Sequence, residues 1–401
     1  MNYISKKEKM GSILAFLLII SSIVASFISR YVNANYSGIA VIAGIWLLLL
    51  WYIINYQLII YKKWFFFTIY ISLIVFGSFF IVRGHVDILA PQFLEYGILG
   101  LLISVTAINP KYVLDLCTKS MIFLAVPCFI LINNSATNIY TNDVNMGVTY
   151  GVMPLVFAII VHFYLYKNNS TIICKISYVL TAIITFILVI RGTRGFVVCL
   201  IVLLYLLMAH NDSYNISKKD FILKIFIAAS MILIILNAEN IILLFASIFK
   251  KCGIQLISLE KMVYLISNGD MMNGRTDIYR LAWKGVCNSP ILGNGIGVFS
   301  DRFGGLNMPF IHNIVLQLLY ELGVLLPIPI FLIMINGVRK ILFISIDEEV
   351  KCFFIVLFSA SVPMLFLSSE LWLNRFFWLM CGYYLERLSA GYRRDLDERK
   401  I

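Results

Sequence analysis

Residues 171–209 read TIICKISYVLTAIITFILVIRGTRGFVVCLIVLLYLLMA, two apolar runs separated by a short polar turn. The first run is long enough to cross the hydrocarbon core of a bilayer as a helix, and the second comes close to that length. A charge at bilayer depth is costly, so the two arginines of the turn are expected at the membrane surface. The stretch therefore predicts two membrane helices that meet at one face of the bilayer.

The composition extends this prediction to the whole chain. Of its 401 residues, 61% are hydrophobic and only 13% are charged, and the mean hydropathy is +0.91. A soluble domain has roughly 25% charged residues. We therefore expect an all-α polytopic membrane protein, in which the net charge of +11 reflects basic loops rather than nucleic-acid binding.

Further apolar runs predict about twelve transmembrane helices. The predicted spans lie near 11–29, 38–60, 64–82, 88–109, 113–132, 146–166, 171–190, 195–209, 221–237, 313–335, 351–368 and 371–388.

The basic residues predict the orientation of these spans. Every second loop carries Lys or Arg, as at Lys62–Lys63, Lys218–Lys219 and Arg339–Lys340, whereas the loop Asn133–Asn145 carries none. Lys and Arg accumulate in cytoplasmic loops, so both termini are expected in the cytoplasm. The chain then divides into nine spans (1–237), a large extracytoplasmic loop (238–311), and the last three spans with a cytoplasmic tail (312–401).

The extracytoplasmic loop is predicted to contain an amphipathic helix over 274–288. Its apolar positions, Ile278, Leu281, Ala282 and Val286, fall on one side at helical spacing, and Arg275, Tyr279, Arg280 and Lys284 fall largely on the other. Such a helix is expected along the membrane interface, either as a plain surface anchor or as part of a binding site.

The arginines of the turn at 191–195 admit two interpretations. Arg191 and Arg194 either extend to lipid headgroups from a helix end, or they bind phosphate oxygens bidentately. Gly192 and Gly195 would let the backbone approach such an anion closely. The glycines of 293–297 are a second, weaker candidate for an anion cradle, because no strand precedes them as a dinucleotide-binding fold requires.

His312 lies at the predicted mouth of the tenth span. It is either an interfacial histidine or a general base, since imidazole titrates near neutral pH. Below it, Asn313, Gln317, Tyr320 and Glu321 form a polar stripe along one helix face. Polar residues inside a span usually face a cavity or partner helices, so the stripe predicts a hydrated pocket that opens outward.

The remaining charges inside spans are expected to form mostly structural ion pairs. Arg375, near the outer end of the last span, is a candidate either to join the site or to pair with Glu321. The carboxylates show no metal-ligand spacing, so neither a metal nor another cofactor is expected.

Three motifs in this order resemble the O-antigen polymerase and O-antigen ligase family (Wzy-type and related). They are Arg191-Gly192-Thr193-Arg194-Gly195, then Gly274-Arg275 followed by Trp283 and Pro290–Gly295, and finally His312-Asn313 leading to Glu321-Leu322-Gly323. The motif-bearing part covers about a third of the chain. Each motif is weak alone, and their order and shared outer placement carry the resemblance.

The resemblance implies a glycosyltransferase of the bacterial cytoplasmic membrane with its active site facing outward. Donor and acceptor would be polyprenyl-diphosphate-linked oligosaccharides, and a flippase and a chain-length regulator would be partners. By the same resemblance, Arg194 and Arg275 hold the diphosphate, with Arg191 and Arg280 as neighbours, and His312 is the base. Because the first motif offers two arginines, the one that corresponds to the family position stays open.

Two other functions remain open from the sequence. A ligase that transfers finished glycan to another acceptor would need the same motifs. A flippase for the lipid-linked sugar is less favoured, because transporters usually show two related halves around a site at mid-membrane, and here the polarity lies at one face.

Overall fold

The structure is a computed structural model. It describes residues 4–31, 34–58, 60–81, 86–135, 143–191, 194–210, 238–251, 257–268, 275–304, 310–344 and 346–388. Within these ranges the chain is helical and has no strand. The predicted all-α class is therefore confirmed for the described residues.

The first half of the chain forms apolar helices joined mostly by short turns. Their bounds are α1 Lys6–Ile28, α2 Ala34–Asn55, α3 Lys62–Ile81, α4 Val86–Gln92, α5 Leu99–Ser104, α6 Pro110–Ser135, α7 Asp143–Tyr166, α8 Ile172–Arg191 and α9 Arg194–Ala209. A π-helical turn, Phe93–Ile98, connects α4 to α5, and a 3-10 turn, Lys167–Asn169, follows α7.

The second half contains shorter helices. Their bounds are α10 Ala238–Lys251, α11 Ile257–Ser267, α12 Arg275–Asn288, α13 Val298–Phe303, α14 Ile314–Leu322, α15 Ile328–Phe343, α16 Glu348–Leu365 and α17 Arg375–Tyr383, which a π-helical turn, Tyr384–Leu388, extends.

Several of these helices are suited to a bilayer. Five described helical stretches are long and apolar enough to cross a membrane, namely Lys6–Ile28, Ser37–Asn55, Pro110–Asn133, Gly147–Asn169 and Ile172–Ile190. They and their neighbours expose large apolar side chains such as Phe66 (66%) and Phe123 (79%). A lipid-facing surface explains this exposure, because in lipid the backbone groups are satisfied within the helix and the side chains need no polar cover. The chain is a helical, membrane-embedded protein.

The predicted spans and the described helices agree in the first half of the chain and differ near its end. The first eight predicted spans fall on helices α1–α9, whereas the ninth, 221–237, and the basic pair Lys218–Lys219 lie outside the described residues. The tenth predicted span, 313–335, is not one helix. It is divided into α14 and α15 at Gly323, whose φ of 69° no α-helix contains, and Pro327 precedes the new helix.

The last predicted span also begins later than expected. Helix α16 ends at Leu365, and α17 begins only at Arg375. The Asn374 side chain caps α17 by accepting a hydrogen bond from the amide of Phe377. Residues 366–374, which we call the 366–374 segment, are therefore not part of a helix. Both flanking helices are buried over 351–365 and 376–383, so the segment connects two buried helices.

Close helix packing fixes this segment in place. Helix α17 packs against α5, where a Cβ on Gly100 would lie 2.5 Å from the carbonyl oxygen of Arg375. Small residues allow such an approach, which is how helices pack tightly in a membrane. Helix α16 packs against α7, α9 and α17, so the candidate site residues of 366–375 have a rigid base.

Candidate functional site

His312 precedes α14 in an unusual backbone conformation. Its φ is 53°, in the left-handed region that residues other than glycine rarely adopt. The ring packs against Phe310 with 4.1 Å between centroids, and its Nδ1 atom is buried without a hydrogen-bond partner in the described part of the chain. Strain and an unsatisfied buried nitrogen both cost free energy, and such features concentrate at functional sites.

Helix α12 supplies the neighbours of His312. The Tyr279 hydroxyl donates a hydrogen bond of 3.2 Å to the His312 carbonyl oxygen. Burial, and secondarily the positive charge of Arg275, lower the pKa of His312 to about 4. The imidazole is therefore neutral at pH 7. Tyr279 was not singled out as a site residue from the sequence, because only the fold brings it to His312.

The predicted α12 is confirmed, and its apolar side is covered by protein. Its apolar side, including Ile278, Ala282 and Val286, packs with Phe299, Ile311 and Tyr320 in a small protein core. A Cβ on Gly285 would lie only 2.1 Å from the Tyr320 ring. The apolar face is thus covered by α13 and α14, and the position of this helix along the membrane interface stays a prediction.

The arginines assigned to the diphosphate lie in different settings. Arg275 begins α12 and acts electrostatically on His312. Arg280 is 68% exposed and forms an ion pair with Asp277 at 2.9 Å, which exposed geometry makes weak. Of the second motif, Gly274 lies outside the described residues.

The turn at 191–195 connects two helices. Arg191 ends α8 and Arg194 begins α9, while residues 192–193 and the side chains of both arginines lie outside the described part of the chain. A Cβ on Gly195 would lie 1.9 Å from the Tyr150 hydroxyl. This glycine therefore contributes to close packing where α9 meets α7.

The polar stripe of α14 is a structural hydrogen-bond network. The Asn313 side chain caps the helix, accepting from the amides of Val315 and Leu316 at 3.1 Å. Glu321 accepts hydrogen bonds from Trp372 Nε1 at 2.8 Å, from Gln317 Nε2 at 3.3 Å and from the Gly297 amide at 3.3 Å.

The hydrated pocket expected below His312 stays a prediction, because the described groups of the stripe enclose only a small space. Gln317 also donates to Glu370 of the 366–374 segment, and the space beside these groups measures only about 10 Å³. That volume is at the lower limit for one water molecule. The stripe therefore ties α14 to the 366–374 segment and does not line a wide opening.

The glycine-rich loop at 293–297 is not an anion cradle either. The amides of Asn294 and Gly295 donate to the carbonyl oxygens of Tyr320 and Glu321, at 2.8 and 2.9 Å. The Gly297 amide donates to the Glu321 side chain. Terminal carbonyls of a helix need such donors, so this loop caps the C-terminal end of α14.

Arg375 lies in a different environment from the one expected. It donates a hydrogen bond to Ser22 of α1, and no carboxylate of the described chain lies within ion-pair distance of it. The alternative that Arg375 pairs with Glu321 is therefore wrong, and the guanidinium lines a cavity between α1, α2, α7 and α17.

The described residues offer no obvious metal centre. No three His, Cys, Asp or Glu side chains among them come together with metal-ligand geometry. Glu321 and Glu370 share the Gln317 amide, and that donor already occupies the space between the two carboxylates.

The family resemblance rests on the three sequence motifs, because comparisons with known proteins add nothing to it. No protein-family model matches the chain, and no curated protein matches its sequence.

Proposed function

We propose that this protein is a glycosyltransferase that polymerises polyprenyl-diphosphate-linked oligosaccharide units at the outer face of a bacterial cytoplasmic membrane. The proposal includes about twelve spans with cytoplasmic termini, which places His312 and α12 outside. The donor is one lipid-linked unit, and the acceptor is a sugar hydroxyl of another.

The observation that carries the proposal is the state of His312. A neutral imidazole with an unpartnered buried Nδ1, held next to a permanently charged arginine, fits a base that works beside an anionic leaving group. A histidine with only a capping role would use its ring nitrogens for hydrogen bonds. The motif order supports the same assignment.

In this mechanism, the acceptor hydroxyl attacks the anomeric carbon of the donor while His312 takes its proton. The new glycosidic C–O bond forms as the C–O bond to the diphosphate breaks, with inversion at that carbon. Arg191, Arg194, Arg275 and Arg280 neutralise the charge of the departing diphosphate. The diphosphate beside Arg275 also offsets the charge that lowers the pKa of His312, so substrate binding makes the imidazole a stronger base.

The direct test uses the purified protein in detergent with a lipid-linked repeat unit as sole substrate. We expect a ladder of longer glycans from the native protein. His312→Asn is expected to lower the rate roughly 100-fold or more and still fold, because asparagine tolerates the left-handed conformation. His210→Asn, at the far end of the bundle by the predicted topology, is the matched control and should keep the native rate.

Two results would contradict the proposal. Full polymerisation by His312→Asn would remove the base assignment. No ladder from folded native protein, with transfer appearing only when a different acceptor is added, would identify a ligase. The substitution Arg275→Lys keeps the positive charge but removes the guanidinium that binds phosphate bidentately. We expect this variant to lose activity.

A further inference from the structure

A second cavity lies away from His312, at one end of the bundle. It measures about 350 Å³ and is bounded by the last turns of α1, the first turns of α2 and α7, and the 366–374 segment with the start of α17. Its lining is rich in hydroxyl groups, from Ser21, Ser22, Ser26 and Ser369, together with Tyr96 and Tyr150. That volume is at the lower end of the range for small-molecule sites.

The charge of the cavity comes from Arg375. Its guanidinium has five N–H donors, yet among the described residues it makes one hydrogen bond, to Ser22, and no ion pair. The side chain also lies against the Phe376 ring, with 5.2 Å to the centroid. An interior positive charge without a counter-charge is costly, and a bound anion would supply one.

Asn374 provides an independent indication of a ligand. The residue is only 5% exposed and lines the same cavity. Its Oδ1 caps α17 by accepting from the Phe377 amide, while its Nδ2 has no hydrogen-bond partner among the residues that the structure describes. A buried amide donor without an acceptor destabilises the fold, and a ligand could supply the acceptor. The N-terminus of α17 adds partial positive charge at the same place.

From these contacts we infer that the cavity binds one anionic group, a phosphate or a carboxylate, carried on a hydroxyl-rich headgroup the size of a single sugar. Arg375 and the Asn374 amide bind the anion. The serine and tyrosine hydroxyls, which both donate and accept, bind the ligand's own hydroxyl groups. The site does not depend on glycosyl transfer at His312, and no residue is shared between them.

The inference is tested by equilibrium binding to the protein in phosphatidylcholine nanodiscs. The probes are glucose 1-phosphate, glucuronate and neutral glucose. We expect saturable binding of the two anionic sugars and much weaker binding of glucose. Arg375→Gln should weaken anion binding roughly tenfold or more, and Arg375→Lys less. Arg339→Gln, an exposed arginine of α15, is the matched control and should bind as the native protein does.

Asn374→Asp tests the site without removing the helix cap. Aspartate caps as well as asparagine, so the folded protein should persist in thermal melts. The variant loses the free donor and adds a negative charge, so it should no longer bind the anionic sugars. If Asn374→Asp binds them with native affinity, the assignment of the amide is wrong.

The same cavity chemistry would also accept an anionic lipid headgroup, and native mass spectrometry with phosphatidylglycerol separates the two sources. Retention of phosphatidylglycerol that is lost in Arg375→Gln would identify a lipid headgroup as the occupant, and its absence together with sugar binding would identify a glycan. The inference is overturned if neither anion binds in an Arg375-dependent way, or if glucose binds as tightly as glucose 1-phosphate.

Discussion

At the scale of single residues, His312 is held in a state that a free histidine would avoid. Its left-handed backbone costs of order 1–3 kcal/mol, and the Tyr279 hydroxyl on its carbonyl oxygen is one contact that maintains it. Burial keeps the ring neutral. The strained backbone and the neutral ring of His312 are thus connected, because the packing that holds the backbone also removes the imidazole from water.

The lowered pKa of His312 predicts a pH dependence of stability. The folded protein titrates this group near pH 4, and the unfolded chain near 6.5. The unfolded state therefore binds the proton first as pH falls. The stability that the neutral ring contributes is present above about pH 6.5 and is lost as the pH falls toward 4. Thermal melts of the native protein and His312→Asn should show a smaller acid loss in the variant.

Arg275 provides a second test of the same group. Removing its charge in Arg275→Gln is expected to raise the pKa of His312, although burial, the larger cause, remains. NMR titration of the His312 ring carbon measures the shift. Lys284→Gln, an exposed charge on the same helix, should leave the titration unchanged. A native His312 that titrates near 6.5, or no upward shift in Arg275→Gln, would contradict the assignment.

Residue types at this site were accessible from the sequence, but their conformations were not. The sequence identified His312 and Arg275 as candidates because they are polar residues in a predominantly apolar chain. The role of Tyr279 arises from a contact across 33 positions, which no local pattern encodes.

At the scale of elements, α14 depends on the glycine-rich loop that caps it. Gly293 has a φ of 75°, and Gly323 has a φ of 69°. A Cβ at Gly293 would lie 2.4 Å from the Glu321 carbonyl group, and one at Gly323 would lie 2.2 Å from the Ile291 carbonyl oxygen. The two glycines therefore allow two backbone segments to touch directly.

Replacing either glycine should destabilise the protein. We expect Gly293→Ala and Gly323→Ala each to cost about 2 kcal/mol or more, from the strained φ and the backbone clash together. Gly304→Ala is the control, because its Cβ would meet only Ser300 Oγ at 3.5 Å and its φ of −58° suits alanine. Thermal melts in detergent compare the three. Native stability in both strained variants would show that the loop does not cap α14 as described.

The 366–374 segment contributes to two separate places. Glu370 and Trp372 form hydrogen bonds with the Gln317 and Glu321 side chains of α14. Ser369 and Asn374 line the Arg375 cavity. The hydropathy pattern predicted that a helix would begin at 371, because Leu371-Trp372-Leu373 is apolar. The structure keeps these residues out of the helix because Asn374 provides the cap three residues later.

At the scale of the whole molecule, the proposed orientation can be tested with a native thiol. Cys287 of α12 is exposed, whereas the other described cysteines are buried. In a Cys252→Ser background, which removes the cysteine outside the described residues, a membrane-impermeant maleimide should label Cys287 in intact cells.

Lys167→Cys is the control for the opposite face. Lys167 is exposed after α7, and by the proposed orientation it lies in the cytoplasm. Labelling at this position should require permeabilised cells. The reverse pattern, with Lys167→Cys labelled from outside and Cys287 protected, would invert the topology and place His312 at the cytoplasmic face.

The sequence by itself determined the class of the protein, its helices in the first half of the chain, and the residues worth testing. Hydropathy is a local property, and helices in a bilayer satisfy their own backbone groups, so these features follow from runs of residues. The division of the tenth predicted span at Gly323 was not determined in this way, because hydropathy continues across it.

Only the tertiary structure decided which polar groups are already satisfied and which are left for a ligand. The glycine-rich loop and Glu321 looked available in the sequence, yet their groups are used to hold α14. Arg375 and Asn374 line a cavity, and among the described residues their donors are only partly satisfied. A hydrogen bond depends on where distant segments meet, so free binding capacity is decided by packing and not by residue type.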